Sequence, residues 1–127
     1  MYQIASSIDS IEDFNDEPAL NIIGLLVDSS GDLGREDGLN HAIDLAEELI
    51  NRDLKNGHQS RIHYDLGNAY SNLRQIKATD SGRWWWENEI LQREIYHFRM
   101  ALDPEDLTGI SKREVCKIYT NLGNCTL

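Results

Sequence analysis

"IHYDLGNAYSNL", residues 62–73, is the stretch on which the reading of this chain turns. Ile62, Leu66, Ala69, Tyr70 and Leu73 recur at the spacing of one face of an α-helix, not at the alternation of a strand. Gly67 stands in the middle of that helix, where it costs about 1 kcal/mol against alanine. A fold tolerates that cost where a neighbouring helix has to come close. The phrase returns at 117–127 as "KIYTNLGNCTL". There Ile118, Leu122 and Cys125 keep the helical spacing, and Gly123 takes the place of Gly67. Gly24, after Ile23 and before Val27, is a weaker third instance. A phrase repeated along a chain argues for stacked helix pairs rather than a closed bundle.

Working outward, helical spacing predicts six helices and no strand. Ile4, Ile8, Ile11 and Phe14 make a short amphipathic helix. Pro18 suits the first turn of a second, which runs through Leu20, Ile23, Gly24 and Val27 and ends at the turn "DSSGDLG", 28–34. A third spans about 37–53, with Leu39, Ala42, Ile43, Ala46, Leu49 and Ile50 inward. The fourth spans about 59–76, and "ATDSGR" at 78–83 breaks it. The fifth spans about 84–102, with Ile90, Leu91, Ile95, Phe98, Ala101 and Leu102 inward. "SKRE" at 111–114 is a capping box that opens the last. The expected fold is one all-α domain, residues 1–127. It stacks helix pairs at about 17–53 and 59–102, and leaves the helix at 111–127 unpaired.

The glycines are 43 and 56 residues apart, where a tetratricopeptide repeat has about 34. Leu66-Gly67 followed by Tyr70, with Phe98, Ala101 and Pro104 after it, nonetheless resembles that repeat in degenerate form. The order of three blocks goes further. "IHYDLGNAYSNL", then "RWWWENEILQREIYHFRMAL", then "REVCKIYTNLGN" resembles the N-terminal tetratricopeptide-like region of a bacterial family that carries a C-terminal HEPN domain. The resemblance covers roughly residues 61–124, and residues 1–55 share only helical character. It implies RNA-targeting defence biology for a longer relative and makes this chain its N-terminal piece. It places no active site on this chain, because the HEPN domain is absent.

Charge narrows the function classes. The chain carries a net −10 over 127 residues, and residues 1–54 hold thirteen acids against Arg35 and Arg52. Such a half repels phosphate backbones, which argues against direct nucleic-acid binding. No run of eighteen apolar residues suggests a membrane span, and the N-terminus lacks the basic and apolar segments of a signal peptide. The expected setting is cytoplasmic. Cys116 and Cys125, about 13 Å apart along a helix, cannot bridge there and read as small apolar side chains. His41, His63 and His97 show no metal-ligand spacing, and no cofactor is expected.

The expected role is a non-catalytic module for protein–protein interaction, with a groove between the helices at 59–76 and 111–127. His63, Asn68, Tyr70, Asn72 and Arg74 are candidate groove residues. Asn68 and Asn72, one turn apart, offer both donors and acceptors to an extended backbone. Trp84, Trp85 and Trp86 cannot share one helix face, so at least one is a candidate partner contact. Gly24, Leu66, Gly67, Phe98, Ala101, Leu122 and Gly123 are the candidate repeat positions. The partner is another protein, the missing C-terminal part, or a second copy joined through the last helix. Two rival readings remain. One is a small acidic inhibitor that mimics nucleic acid. The other is an RNA-cleaving HEPN-like hydrolase using Arg35 with His41 or Arg52 with His58.

Overall fold

Five helices form among the residues that the computed structural model describes, 7–81, 89–102 and 111–126, and none of these residues is in a strand. They are α1 (Asp16–Leu33), α2 (Glu36–Ile50), α3 (Asn56–Ser81), α4 (Glu89–Leu102) and α5 (Lys112–Thr126). The fold is all-α. Among the described residues no helix is long and apolar enough to cross a membrane.

Local chemistry sets the helix ends. Asp16 and Glu17 occupy the first turn of α1, where carboxylates face the positive end of the helix dipole. Pro18 is tolerated there because first-turn amides have no partner within the helix. Gly34 ends α1 with φ 66°, and the Gly34 and Arg35 amides donate to Gly31 O and Ser30 O. This pair of bonds closes a helix on a left-handed glycine. Residues 28–33, expected as a turn, are therefore helical, because only Gly34 adopts the breaking conformation. The capping box of α5 is present in both directions. The Ser111 amide donates to Glu114 Oε1 (2.9 Å) and the Glu114 amide to Ser111 Oγ (3.1 Å). Helix α3 runs on to Ser81, through most of the expected break, and α4 is described from Glu89. Trp84, Trp85 and Trp86 lie outside the described residues.

The short helix expected over 4–14 does not form in its described part. Residues 7–15 are irregular. Their carbonyls are taken by α2 and its C-terminal end instead. His41 Nε2 donates to Ile8 O, and Arg52 donates to Ile11 O (2.6 Å), Phe14 O (2.8 Å) and Asp16 Oδ1 (3.0 Å). A carbonyl satisfied this way needs no helical amide. Ile11 is still fully buried, so its apolar side chain was read correctly and its backbone was not. Cys116, read as a core apolar, is exposed on α5.

Helix α1 packs on α2, both pack on α3, α3 packs on α4, and α4 packs on α5. Ile23, Leu26, Leu39, Leu49, Ile62 and Leu66 belong to one apolar cluster, built by α1, α2 and one side of α3. Tyr64, Phe98, Ala101 and Ile118 form a second, between α3, α4 and α5. Ile62 and Ile118, the same position in the two copies of the repeated phrase, are both fully buried.

The glycines differ in what they touch. A Cβ on Gly67 would lie 2.5 Å from the Phe98 ring, far inside contact distance. A Cβ on Gly24 would meet only Asp65 Oδ2, at 3.6 Å. Gly123 lies within α5, beyond the residues whose surroundings are described. We expect Gly67→Ala to destabilise the fold by about 1–2 kcal/mol, the overpacking cost less the gain in helix propensity. Gly24→Ala is expected to be neutral or to stabilise by up to about 1 kcal/mol. Urea unfolding followed by far-ultraviolet circular dichroism separates the two.

Candidate functional site

A polar cleft of about 420 Å³ opens between α1, α3 and α5. Asp28, Gly31 and Asp32 come from α1, Asn68, Ser71, Asn72 and Gln75 from α3, and Lys117 and Asn121 from α5. Within each helix these positions are three or four apart, so each wall is one polar stripe. Asn72 sits against Gly31, and its amide nitrogen occupies the space that a Cβ there would need. That is a physical reason for a glycine inside α1, since any side chain would push the carboxamide out of its seat.

Of the candidate groove residues, Asn68 and Asn72 line this cleft, while His63, Tyr70 and Arg74 face α4. Arg74 Nε donates to Glu94 Oε1 (2.8 Å), and the Glu94 side chain is fully buried. His63 and His97 share a hydrogen bond between their Nδ1 atoms (2.9 Å). Tyr70 stacks on His97 with ring centroids 5.7 Å apart, and Arg93 Nη1 donates to the Tyr70 hydroxyl (3.4 Å). Glu94 and His97 were not expected to face inward. No apolar signal marks them, because their spacing to Leu91, Phe98 and Ala101 is helical but their chemistry is polar. Asp28, Gly31 and Asp32 were missed because their segment was read as a turn. Ser71, Gln75, Lys117 and Asn121 could have been found from their spacing to Asn68, Asn72 and each other.

Asp65 lies at the junction of three helices. Its Oδ1 is 3.5 Å from Arg61, whose other nitrogen reaches Glu114 at the start of α5 (2.8 Å). Its Oδ2 is buried, has no hydrogen-bond partner among the described residues, and faces Gly24 on α1. Burial pushes the Asp65 carboxyl up to about 7 against the pull of Arg61, with the charges of Asp28 and Glu114 adding to the rise. Burial also pulls the His97 imidazole down to about 4, helped by His63 and Arg93, and burial lowers His63.

The arginine–histidine pairs weighed for RNA cleavage are engaged elsewhere. Arg35 pairs with Asp37 at 3.3 Å, and His41 and Arg52 hold the 8–16 segment as described above. His58 Nδ1 lies 4.0 Å from Asp16. Compared with known proteins, the chain matches no family model, no curated protein and no solved structure.

The two kinds of buried titratable group pull stability in opposite directions. For Asp65, the unfolded carboxyl ionises above about 3.8 while the folded one holds its proton to about 7. Stability is lost as pH rises through that window. For His97, the unfolded imidazole takes a proton below about 6.5 that the folded one refuses until about 4. Stability is lost as pH falls through that window. The two slopes oppose each other between about pH 4 and 6.5. We expect Asp65→Asn to stabilise the protein at pH 8. The variant should also lose stability more steeply than the parent as pH falls from 6.5 to 4.5, by up to about 1.4 kcal/mol per pH unit. Urea midpoints at pH 4.5, 6 and 8 measure both effects.

Proposed function

We infer that the chain is a non-catalytic helical-repeat module that binds an extended polypeptide segment in the cleft between α1, α3 and α5. The observation that carries this reading is the composition of the cleft. Asn68, Asn72 and Asn121, with Gln75 and Ser71, present carboxamides and a hydroxyl from two helices. A carboxamide can donate to a backbone carbonyl and accept from a backbone amide at once. Such a row suits a peptide whose own backbone groups are unpaired.

On this reading the helices stack as a short, degenerate tetratricopeptide-like solenoid, and their packing order supports it. Helices α1 and α3 touch each other, and each also packs on the helix that follows it. Alternate helices, α1, α3 and α5, supply the lining of the cleft. The resemblance to the N-terminal region of HEPN-carrying proteins gives the module a setting. It docks a polypeptide for a nuclease domain that lies elsewhere, or regulates that domain. Engagement of Arg52 and His41 by backbone carbonyls favours this reading over catalysis by the chain itself.

Selection from a random peptide library displayed on phage, followed by titration of the selected peptides into the isotope-labelled chain, tests the reading. The peptides should shift the amide signals of Asn68, Asn72 and Asn121. Asn68→Ala should weaken them by about fivefold, the worth of one lost hydrogen bond. Gly31→Ala should weaken them comparably by evicting Asn72, with little change in the urea midpoint. Peptides that shift other surfaces, or that bind both variants as tightly as the parent, would refute the assignment.

A further inference from the structure

We propose that the His63–His97 pair is an acid-sensitive latch on the α3–α4 seam. A second proton on the pair breaks its hydrogen bond and releases α4 from α3, while the α1–α2–α3 core stays folded.

The geometry of the pair sets what it can hold. The two Nδ1 atoms are 2.9 Å apart. The ring centroids are 5.1 Å apart, close to the greatest separation that such a bond allows, so the Nδ1 atoms point at each other along the line of the ring centres. One imidazole donates its Nδ1–H and the other accepts on a bare Nδ1. The half-buried His63 suits the donor role, because a proton taken on its Nε2 leaves the bond intact. His97, only 6% exposed, is then the acceptor. A proton on its Nδ1 sets two N–H groups face to face, and the bond is replaced by repulsion.

The surroundings of the pair do not welcome that proton. On α4, Arg93 adds its positive charge against His97 and is bonded to the Tyr70 hydroxyl and to Glu89. Both carboxylates of α4, Glu89 and Glu94, are bonded to arginines, Arg93 and Arg74. Tyr96 meets both imidazoles edge-on, and Tyr70 of α3 stacks on His97. On α5, Glu114 pairs with Arg61 and Lys117 lies over Tyr64. Helices α1 and α2 pack on the flank of α3 that carries Ile62 and Leu66, where Asp28 acts on Asp65.

The latch sits beside the contact that seats α4. Phe98 follows His97, lies against Gly67, and joins Tyr64, Ala101 and Ile118 in the second apolar cluster. Parting the pair unseats Phe98 and with it Ile118 of α5. Lys117 and Asn121, on the same helix as Ile118, line the cleft, so the cleft loses its α5 wall in acid. The device is a property of the fold and does not depend on what the cleft binds.

A distinctive pH dependence follows. Opening α4 frees His97, whose folded value of about 4 lies below its ordinary 6.5. The local opening therefore grows as pH falls through that window, about tenfold per pH unit for this one proton. Global unfolding also frees Asp65, whose opposite slope cancels that of His97. The local opening leaves Asp65 packed against α1, so its slope survives.

Amide hydrogen exchange of the full chain at pH 6.5, 5.5 and 4.5, corrected for intrinsic rates, reads both slopes. Protection of the α4 and α5 amides should fall about tenfold per pH unit, while protection of the α2 amides stays nearly level. His97→Asn keeps a carbonyl acceptor near the Nδ1 position and does not titrate, so it should level the α4 response. In the parent chain labelled with nitrogen-15, a scalar coupling between the two Nδ1 nuclei should be visible at pH 7, a readout that needs no variant. Absence of that coupling overturns the proposal. So does α4 protection that is level with pH, that moves in step with α2, or that keeps its slope in a folded His97→Asn variant.

Discussion

The close approach of α3 and α4 at Gly67 and Phe98 is the constraint on which the rest of the structure depends. The Phe98 ring fills the volume that a side chain on Gly67 would take, so α4 can lie down on α3 only because that position has none. Once it does, Glu94 falls one turn before Phe98, fully buried, and must find a cation. Arg74 supplies it at 2.8 Å. Removing one partner of a buried ion pair costs on the order of 3–5 kcal/mol, because the remaining charge stays in a dry site. The glycine and the ion pair therefore enforce one another. A wider spacing would strand Glu94, and a shifted register would take it away from Arg74. His63, His97 and Tyr70, stacked along the same seam, are held by the same registration.

Much of this was legible in the residues themselves. Helical spacing marks Leu39, Ala42, Ala46, Leu49, Leu66, Ala69, Phe98 and Ala101, and all are buried, because burial of a helix face is a local, periodic signal. The glycine in "DLGNAY" announces a close contact for the same reason, and Ser111 with Glu114 announces a helix start. Three features were not legible. The 8–14 segment has helical spacing, yet its carbonyls are taken by His41 and Arg52 from more than thirty residues away. No local pattern records such a long-range competitor. Residues 28–33 carry turn-forming serines, aspartates and a glycine, yet they stay helical, and the left-handed conformation that ends α1 falls on Gly34. Glu94 and His97 are buried polar groups, and hydrophobic periodicity is blind to these. Half of the cleft was visible, through Asn68 and Asn72. The α1 wall was hidden by the turn reading.

The opposed titrations have a structural cause as well. Asp65 and His97 are buried on different sides of α3, toward α1 and toward α4. Each is held in its neutral form by the same lack of water. A carboxyl kept neutral favours the folded state in acid, and an imidazole kept neutral favours it at higher pH. One long helix with an acid on one flank and a base on the other has a flatter response to pH than either group would give alone.

Helix α3 also explains why the cleft is polar. Its residues divide among three neighbours. Ile62, Leu66, Ala69 and Leu73 fill the core with α1 and α2. His63, Gly67, Tyr70 and Arg74 are committed to α4, through ring contact, close approach or ion pairing. The stripe of Asn68, Ser71, Asn72 and Gln75 forms the cleft wall. Stability alone does not require carboxamides there. Straight-chain residues such as glutamate, lysine or alanine have better helix propensity, and asparagine disfavours helix interiors because its side chain competes for backbone hydrogen bonds. Two asparagines in the middle of α3, with Gly31 on α1 leaving room to seat one of them, work against local propensity on the stripe that lines the cleft. Conflict between local preference and global fold concentrates where a surface serves something other than stability, and in this chain it falls on the wall of the cleft.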